Sequence, residues 1–344
     1  MINKCKKNLH LCTHPKNYLM ALILTREDVV RVLSMKECMD AVEQAFRELV
    51  CGTAHLPLRI PIHSPDGLSL YMPAYLREMK ALACKVVAVY KENPVRHNLP
   101  TTIGKVLLQN PGTGEVVCIM DGGYLTAVRT GAASGVATRY LANDFPGMSA
   151  GVFGAGVQAG TQLWAVAEAR KLGRAMVYDK DPGSAKRFAS EMSRKLNLEV
   201  AVAEKPDAIL ETDILITATS SATPLFDGRK IRPGIHINGI GSHSPNAREL
   251  DTETIRRSKF IGDSREACFK EAGDLLIPIS EGAITESHFY AELGEIVTGK
   301  KTGRASRDEI TLFKSNGLAI QDAAAAKLVF DKAKEEGVGV EIRI

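Results

Sequence analysis

The chain has 344 residues, 45% of them hydrophobic and 24% charged, an ordinary globular composition at a length that suggests about two domains. Its 44 Lys and Arg against 40 Asp and Glu leave a formal charge of +4 with the basic residues scattered, which gives no reason to expect a nucleic-acid partner. No apolar run approaches the ~18 residues needed to cross a bilayer, so no membrane partner is expected. The seven cysteines are odd in number and show no paired spacing, which fits a reducing cytoplasm better than a disulfide framework.

Residues 1–19 are basic but lack the apolar core and cleavage site of a secretory signal. They hold Cys5, His10, Cys12 and His14 at a spacing that matches no common zinc finger, so a disordered extension without metal is expected. Regular patterning begins at Met20, itself a candidate start. Thr25 with Asp28 and Ser34 with Glu37 look like helix-opening caps. Ala41, Val42, Ala45, Phe46, Leu49 and Val50 then recur at helical spacing, which predicts a helix over 35–50. From 56 to 120 short β-rich runs (LRIPIH, KVVAVY, TTIGKVLLQN, EVVCIM) alternate with turn signals (SPDG, ENP, NPGTG), predicting a mostly antiparallel sheet. A helix is predicted from Thr126 to about Ala142, with Asp121 in MDGG as its cap.

From 149 onward strands and helices alternate. SAGVFGAG, RAMVYDKD, DILITATSS, HINGI and KFIGD read as strands, with helices over VQAGTQLWAVAEARKLG and PGSAKRFASEMSRKLN. This alternation predicts a parallel sheet wound by helices. At the end AIQDAAAAKLVFDKAKEEG reads as a helix and VGVEIRI as an edge strand, both expected to pack back on the first part.

Gly154, Gly156 and Ala159 spell G-x-G-x-x-A between a predicted strand and helix, the context in which this fingerprint binds a dinucleotide. Gly154 permits the tight turn, Gly156 lets backbone approach a pyrophosphate, and Ala159 allows close packing of helix on strand. The helix start, with Val157 and Gln158, offers amide donors to phosphate. Asp179 ends the next strand 25 residues after Gly154, against the usual ~20, and a carboxylate there suits ribose hydroxyls and NAD. Lys180 beside it could pair with a 2′-phosphate, which keeps NADP in play. Thr217, Ala218, Thr219, Gly239 and Ile240 lie at ends of later strands, where such folds bind cofactors.

A cofactor domain in second position leaves the substrate mostly to the first. Lys85, flanked by apolar residues in LACKVVAVY, is either a lysine made usable as acid or base by desolvation or a strand-end lysine reaching solvent. Arg59 and Arg129 can each grip a substrate carboxylate through two hydrogen bonds or form a structural ion pair. His243 stands in GSHSPNARELD at the mouth of a strand, as a catalyst or as loop lining.

These pieces together resemble the ornithine cyclodeaminase and mu-crystallin family, with its archaeal-type alanine dehydrogenases. The matching segments are MPAY, ACKVV, NP followed by LPTT, MDGGYLTAVRTGAASGVATRYLA, VFGAGVQA, INGIGSHSPNARELD, GEIVTGKKTGR and ITLFKSNGLAIQDAAAA, from about residue 20 to the end. The resemblance implies an α/β fold in which a doubly wound Rossmann domain (149–318) is inserted in a smaller α+β substrate and dimerisation domain (20–148 with about 319–344). It implies a homodimer acting on a small amino or imino acid. By motif, Lys85 resembles the family's catalytic lysine and Arg59 its carboxylate-binding arginine. Arg129 resembles the arginine at the substrate–cofactor junction, and Ser315, with Gly317 in the same FKSNG turn, the residue near the nicotinamide.

The family starts from hydride transfer at an amino-acid Cα. Water attack on the iminium gives alanine dehydrogenase chemistry, and attack by the substrate's own amine gives cyclodeamination of ornithine to proline. From a cyclic imine the reverse direction is a ketimine or pyrroline-carboxylate reductase. In the cyclodeaminases and archaeal alanine dehydrogenases an aspartate stands two residues before the proline of this loop, whereas mu-crystallin-like ketimine reductases lack it. Here the position is His243, whose ordinary pKa of ~6.5 suits holding an ammonium poorly. An alanine dehydrogenase or imine reductase is therefore expected first, ornithine cyclodeaminase second, and a non-catalytic NAD(P)-binding protein third.

Overall fold

The computed structural model describes residues 19–344, so the expectations for the N-terminal extension and its Cys5, His10, Cys12 and His14 lie outside the described residues. Strand β1 (Met20–Leu24) leads into helices α1 (Arg26–Val32) and α2 (Met35–Cys51). Both helices start at their sequence signals. Thr25 Oγ1 accepts from Asp28 N at 3.2 Å while Asp28 accepts from Thr25 N at 2.9 Å, and Ser34 accepts from Glu37 N.

The strand-rich stretch forms β2 (Ala54–His55), β3 (Ile60–Ser64), β4 (Gly67–Leu76) and β5 (Ala81–Val89). The short helix α3 (Asn93–Arg96) precedes β6 (Thr102–Gln109) and β7 (Val116–Asp121). Helix α4 (Gly122–Leu141) begins at Gly122 rather than Thr126, because Asp121 accepts from Tyr124 N at 2.9 Å and draws both glycines of MDGG into the first turn.

The strand–helix alternation gives β8 (Met148–Phe153), α5 (Val157–Ala169), β9 (Leu172–Tyr178), α6 (Pro182–Leu196), β10 (Val200–Val202), β11 (Ile214–Thr217) and β12 (His236–Gly239). There follow α7 (Thr252–Arg257), β13 (Lys259–Gly262), α8 (Arg265–Glu271), α9 (Gly273–Ser280), β14 (Phe289–Glu292), α10 (Leu293–Val297) and β15 (Thr311–Lys314). The chain ends with α11 (Ala319–Glu336) and β16 (Val340–Arg343).

Two sheets result. The first runs β16–β1–β7–β6–β5–β4–β2, with β3 on β4, and is antiparallel except for β1 against β7. The last strand thus lies along the first, Met20 opposite Arg343. The second sheet, β10–β9–β8–β11–β12–β15–β13–β14, is parallel throughout. From β8 the chain winds out through β9 to β10, then crosses to β11 on the other side. That reversal opens a crevice at the carboxyl ends of β8 and β11. Among the described residues no helix is long and apolar enough to cross a membrane.

Helix α4 joins the two bodies. It is buried on most of its circumference, and a Cβ on Gly131 would stand 2.5 Å from Thr161 O of α5. One turn further along the same face a Cβ on Gly135 would stand 2.7 Å from Met39 Cε of α2 and 3.1 Å from Ala165 Cβ of α5. The small residues of RTGAASG let α4 touch α5 backbone to backbone. Gly131→Ala is expected to force these helices apart and cost about 1–3 kcal/mol, read as a lower thermal midpoint. An unchanged midpoint would show that the contact is not tight.

Candidate active site

The crevice at the switch point is walled by Phe153, Gly154, Ala155 and Gly156 after β8, by Tyr178, Asp179 and Lys180 after β9, and by Ala218, Thr219 and the following turn after β11. Gly154 has φ +98°, and a Cβ there would meet Ala218 O at 2.6 Å, so the turn admits only glycine. A Cβ on Gly156 would meet nothing within 4 Å, leaving open space in front of α5. Ala159 is fully buried against the sheet. Asp179 accepts from Ala155 N at 2.9 Å, which ties the second strand end to the glycine turn, while Lys180 is exposed. Val157 is 71% exposed at the head of α5, and Gln158 Oε1 is buried without a hydrogen-bond partner among the described residues. An open glycine, a helix start and a strand-end carboxylate fit a dinucleotide. Thr217, Gly239 and Ile240 do not line this crevice; they are buried at strand ends behind it.

The first body contributes a buried charge cluster. Strand β5 turns Lys85 inward, on the face it shares with Ala81 and Ala83, and the side chain is 2% exposed. Its Nζ lies 2.7 Å from Asp322 Oδ2 on α11, and Arg129 Nε of α4 lies 2.9 Å from Asp322 Oδ1. Arg129 also donates to Gln321 Oε1 and retains donors on its outer edge. Burial, then the neighbouring Arg129, lowers the Lys85 pKa, and Asp322 opposes both, leaving it at about 8. A lysine with that balance exchanges protons near neutral pH. Asp322 was not among the residues singled out by sequence, because AIQDAAAA reads only as helix.

The turn after β15 meets this cluster. Asp263, at the end of β13, accepts from Asn316 N and Gly317 N at 2.7 Å each. Burial pushes its carboxyl up to about 6 against those hydrogen bonds. Gly317 has φ +82°, and a Cβ on it would stand 2.9 Å from Arg129 Nη1. Ser315 Oγ faces Asp263 Oδ2 at 3.5 Å and is buried. Arg59, in the strap before β3, donates to Asn316 O and Gly317 O at 3.4 and 3.3 Å and pairs with Glu271 Oε2 at 3.1 Å.

His243 lies on the exposed loop after β12. The protein walls around it, then Lys314, Arg59 and Arg129, hold its imidazole well below the usual histidine range. Glu249 fixes the base of the loop, accepting from Thr219 N and Gly241 N at 2.7 Å each. Asp274 accepts from Glu249 N at 2.8 Å and pairs with buried Lys314 at 2.8 Å. Lys85, Arg129, Gly317 and Arg59 are thus brought together, while His243 stands on the loop whose Ser244 and Ala247 carbonyls press on Gly273. Another hollow, lined by Tyr75, Arg77, Lys327 and Phe330, shares no residue with them.

The ornithine cyclodeaminase/mu-crystallin family profile matches residues 20–337. An alanine dehydrogenase of Archaeoglobus fulgidus is 38% identical over 323 residues, 94% of this chain and 98% of that protein. A Delta(1)-pyrroline-2-carboxylate reductase of Bacillus cereus is 37% identical over 325 residues, covering 93% and 99%. The solved Delta(1)-pyrroline-2-carboxylate reductase of Thermococcus litoralis, in complex with NADH and L-proline, superposes with a TM-score of 0.89 at 50% identity and covers 93% of this chain and 100% of that one. The two-sheet fold, the glycine turn and the similarity along nearly the whole chain agree, and the protein belongs to the ornithine cyclodeaminase/mu-crystallin family.

Proposed function

We propose that the protein is an NAD(H)-dependent oxidoreductase of the C–N bond in small 2-amino acids and their imines, and that it reduces a cyclic ketimine carboxylate, Δ1-pyrroline-2-carboxylate, to L-proline. The observation that carries this reading is the buried Lys85, paired to Asp322 and poised at about 8 beside Arg129 and Arg59. When bound, the nicotinamide supplies the hydride for the imine carbon. Arg59 and the free edge of Arg129 hold the substrate carboxylate. Lys85 gives a proton to the ring nitrogen, and Asp322 keeps its ammonium directed at that atom.

The loop histidine supports a reductase over a cyclodeaminase. A neutral imidazole offers an ammonium no counter-charge, while it can orient a neutral ring or water. The pyrroline-2-carboxylate reductases among the relatives, one solved with NADH and L-proline, favour the cyclic imine as substrate. Asp179 favours NADH over NADPH. Leu58 just before β3 and Ile60 and Ile62 on it, each at least half exposed, are the face we assign to a homodimer. The free cysteines among the described residues accord with a reducing cytoplasm.

The assay follows NADH and NADPH absorbance with Δ1-pyrroline-2-carboxylate and, separately, with pyruvate plus ammonium. Faster NADH consumption with the cyclic imine is expected. Preference for pyruvate plus ammonium would make the protein an alanine dehydrogenase. Proline formed from ornithine without net cofactor change would overturn the reductase reading, and NAD binding with no turnover would leave a binding protein.

Lys85→Met is expected to cut kcat by about 10²–10⁴-fold, the range for loss of a positioned acid, with NADH affinity retained in a fluorescence titration. Turnover near the parent rate would remove Lys85 from the chemistry. The pH profile carries a sign. Reduction needs Lys85 protonated, so kcat/KM should be level below pH of about 8 and fall above it, while oxidation of L-proline should rise through the same pH. Asp322→Asn removes the anion that favours the charged lysine, and the falling limb should move to lower pH. A limb that stays in place would separate it from Lys85.

A further inference from the structure

Arg59 already holds a carboxylate. Its Nη2 lies 3.1 Å from Glu271 Oε2, and the two side chains are 23% and 19% exposed. Glu271 closes α8, and Ser264, Ala267 and Lys270 of the same segment line one hollow with Arg59, Gly317 and Leu318. A guanidinium presents paired donors along one edge to one carboxylate at a time. A substrate carboxylate that reaches Arg59 in this hollow therefore meets an anion already paired with the guanidinium through Nη2.

The corner that carries Glu271 is fixed from behind. A Cβ on the adjoining Gly273 would stand 2.1 Å from Ala247 O and 2.6 Å from Ser244 O, so the corner is pressed against the His243 loop. Asp274, next in the chain, accepts from Glu249 N and Leu250 N at 2.8 and 3.0 Å and pairs with Lys314. The backbone has no slack here, whereas the Glu271 side chain is partly in solvent and has rotamers to move into.

We propose that Glu271 is an internal stand-in for the substrate carboxylate, occupying Arg59 in the free enzyme and exchanged for substrate during each cycle. The proposal rests on the reading of Arg59 as the carboxylate anchor. Glu271 then sets affinity by competition.

The test is Glu271→Gln, which keeps the shape and removes the charge. KM for the imine is expected to fall by about two- to fivefold, the size of releasing a partly exposed ion pair, with kcat little changed. The inhibition constant of pyrrole-2-carboxylate, a planar carboxylate that cannot be reduced, should fall by the same factor. It is also measured by calorimetry on the NADH complex, which needs no turnover. Glu271→Asp, too short to hold Arg59 from the same backbone, should shift both constants in the same direction. A purely structural glutamate would instead raise KM or lower the melting point. A rise or no change in either constant overturns the exchange. Arg59→Ala is measured alongside: if it leaves both constants untouched, the anchor reading of Arg59 fails, and the exchange falls with it for that separate reason.

Discussion

The site depends on one carboxylate between two cations. Asp322 faces Lys85 and Arg129 with one oxygen each, and all three side chains are almost entirely out of water. Three such charges are costly to desolvate, and their mutual attraction returns that cost only where the geometry is tight. Taking away the carboxylate would strand two buried cations, a loss of about 3–5 kcal/mol for a pair of this kind. The same balance sets the charge of Lys85. Burial and Arg129 push the lysine toward its neutral form, Asp322 pulls it back, and the balance at about 8 lets one side chain act in both protonation states.

Buried carboxylates also fix the loops around this cluster. Asp263 gathers the amides of Asn316 and Gly317, Glu249 those of Thr219 and Gly241, and Asp274 those of Glu249 and Leu250. Each gives a turn that lacks regular hydrogen bonding a charged acceptor for its amide donors, and such bonds are about twice as strong as neutral ones. Loops anchored in this way hold Arg59 and His243 in place without lengthening the helices or strands.

What could be read from the sequence was local in origin. The capping box at Thr25, the helix over α2, the hairpins and the turn from Gly154 to Ala159 are each set by residues within a few positions of one another. The crevice they build was legible for the same reason, and with it Ala218, Thr219 and Asp179. The partners of Lys85 and Arg129 were not. Asp322 lies 193 residues from Arg129 and sits in an alanine-rich helix whose pattern reports only its fold. Asn316 is 257 residues from Arg59, and Glu271 looks like one more charged residue on a helix face. Strand β15 was also silent as a strand, since its four residues are buried on both faces and show no alternation. The start of α4 was misplaced because two glycines mask a helical turn that Asp121 stabilises.

The closing of the first sheet by the last strand has a consequence in time. On the ribosome β1, Lys85 and Arg129 emerge early, but β16 and Asp322 come from the final elements of the chain. The second sheet is complete once β15 has been made, with all of its strands and crossovers in hand. Domains tend to fold as units while synthesis proceeds, and pairings distant in sequence form late. The middle of this polypeptide can therefore settle while its beginning still waits for its end. Two cations remain in water until α11 arrives, and the body that holds the Lys85–Asp322–Arg129 cluster is assembled after the body that holds the glycine turn.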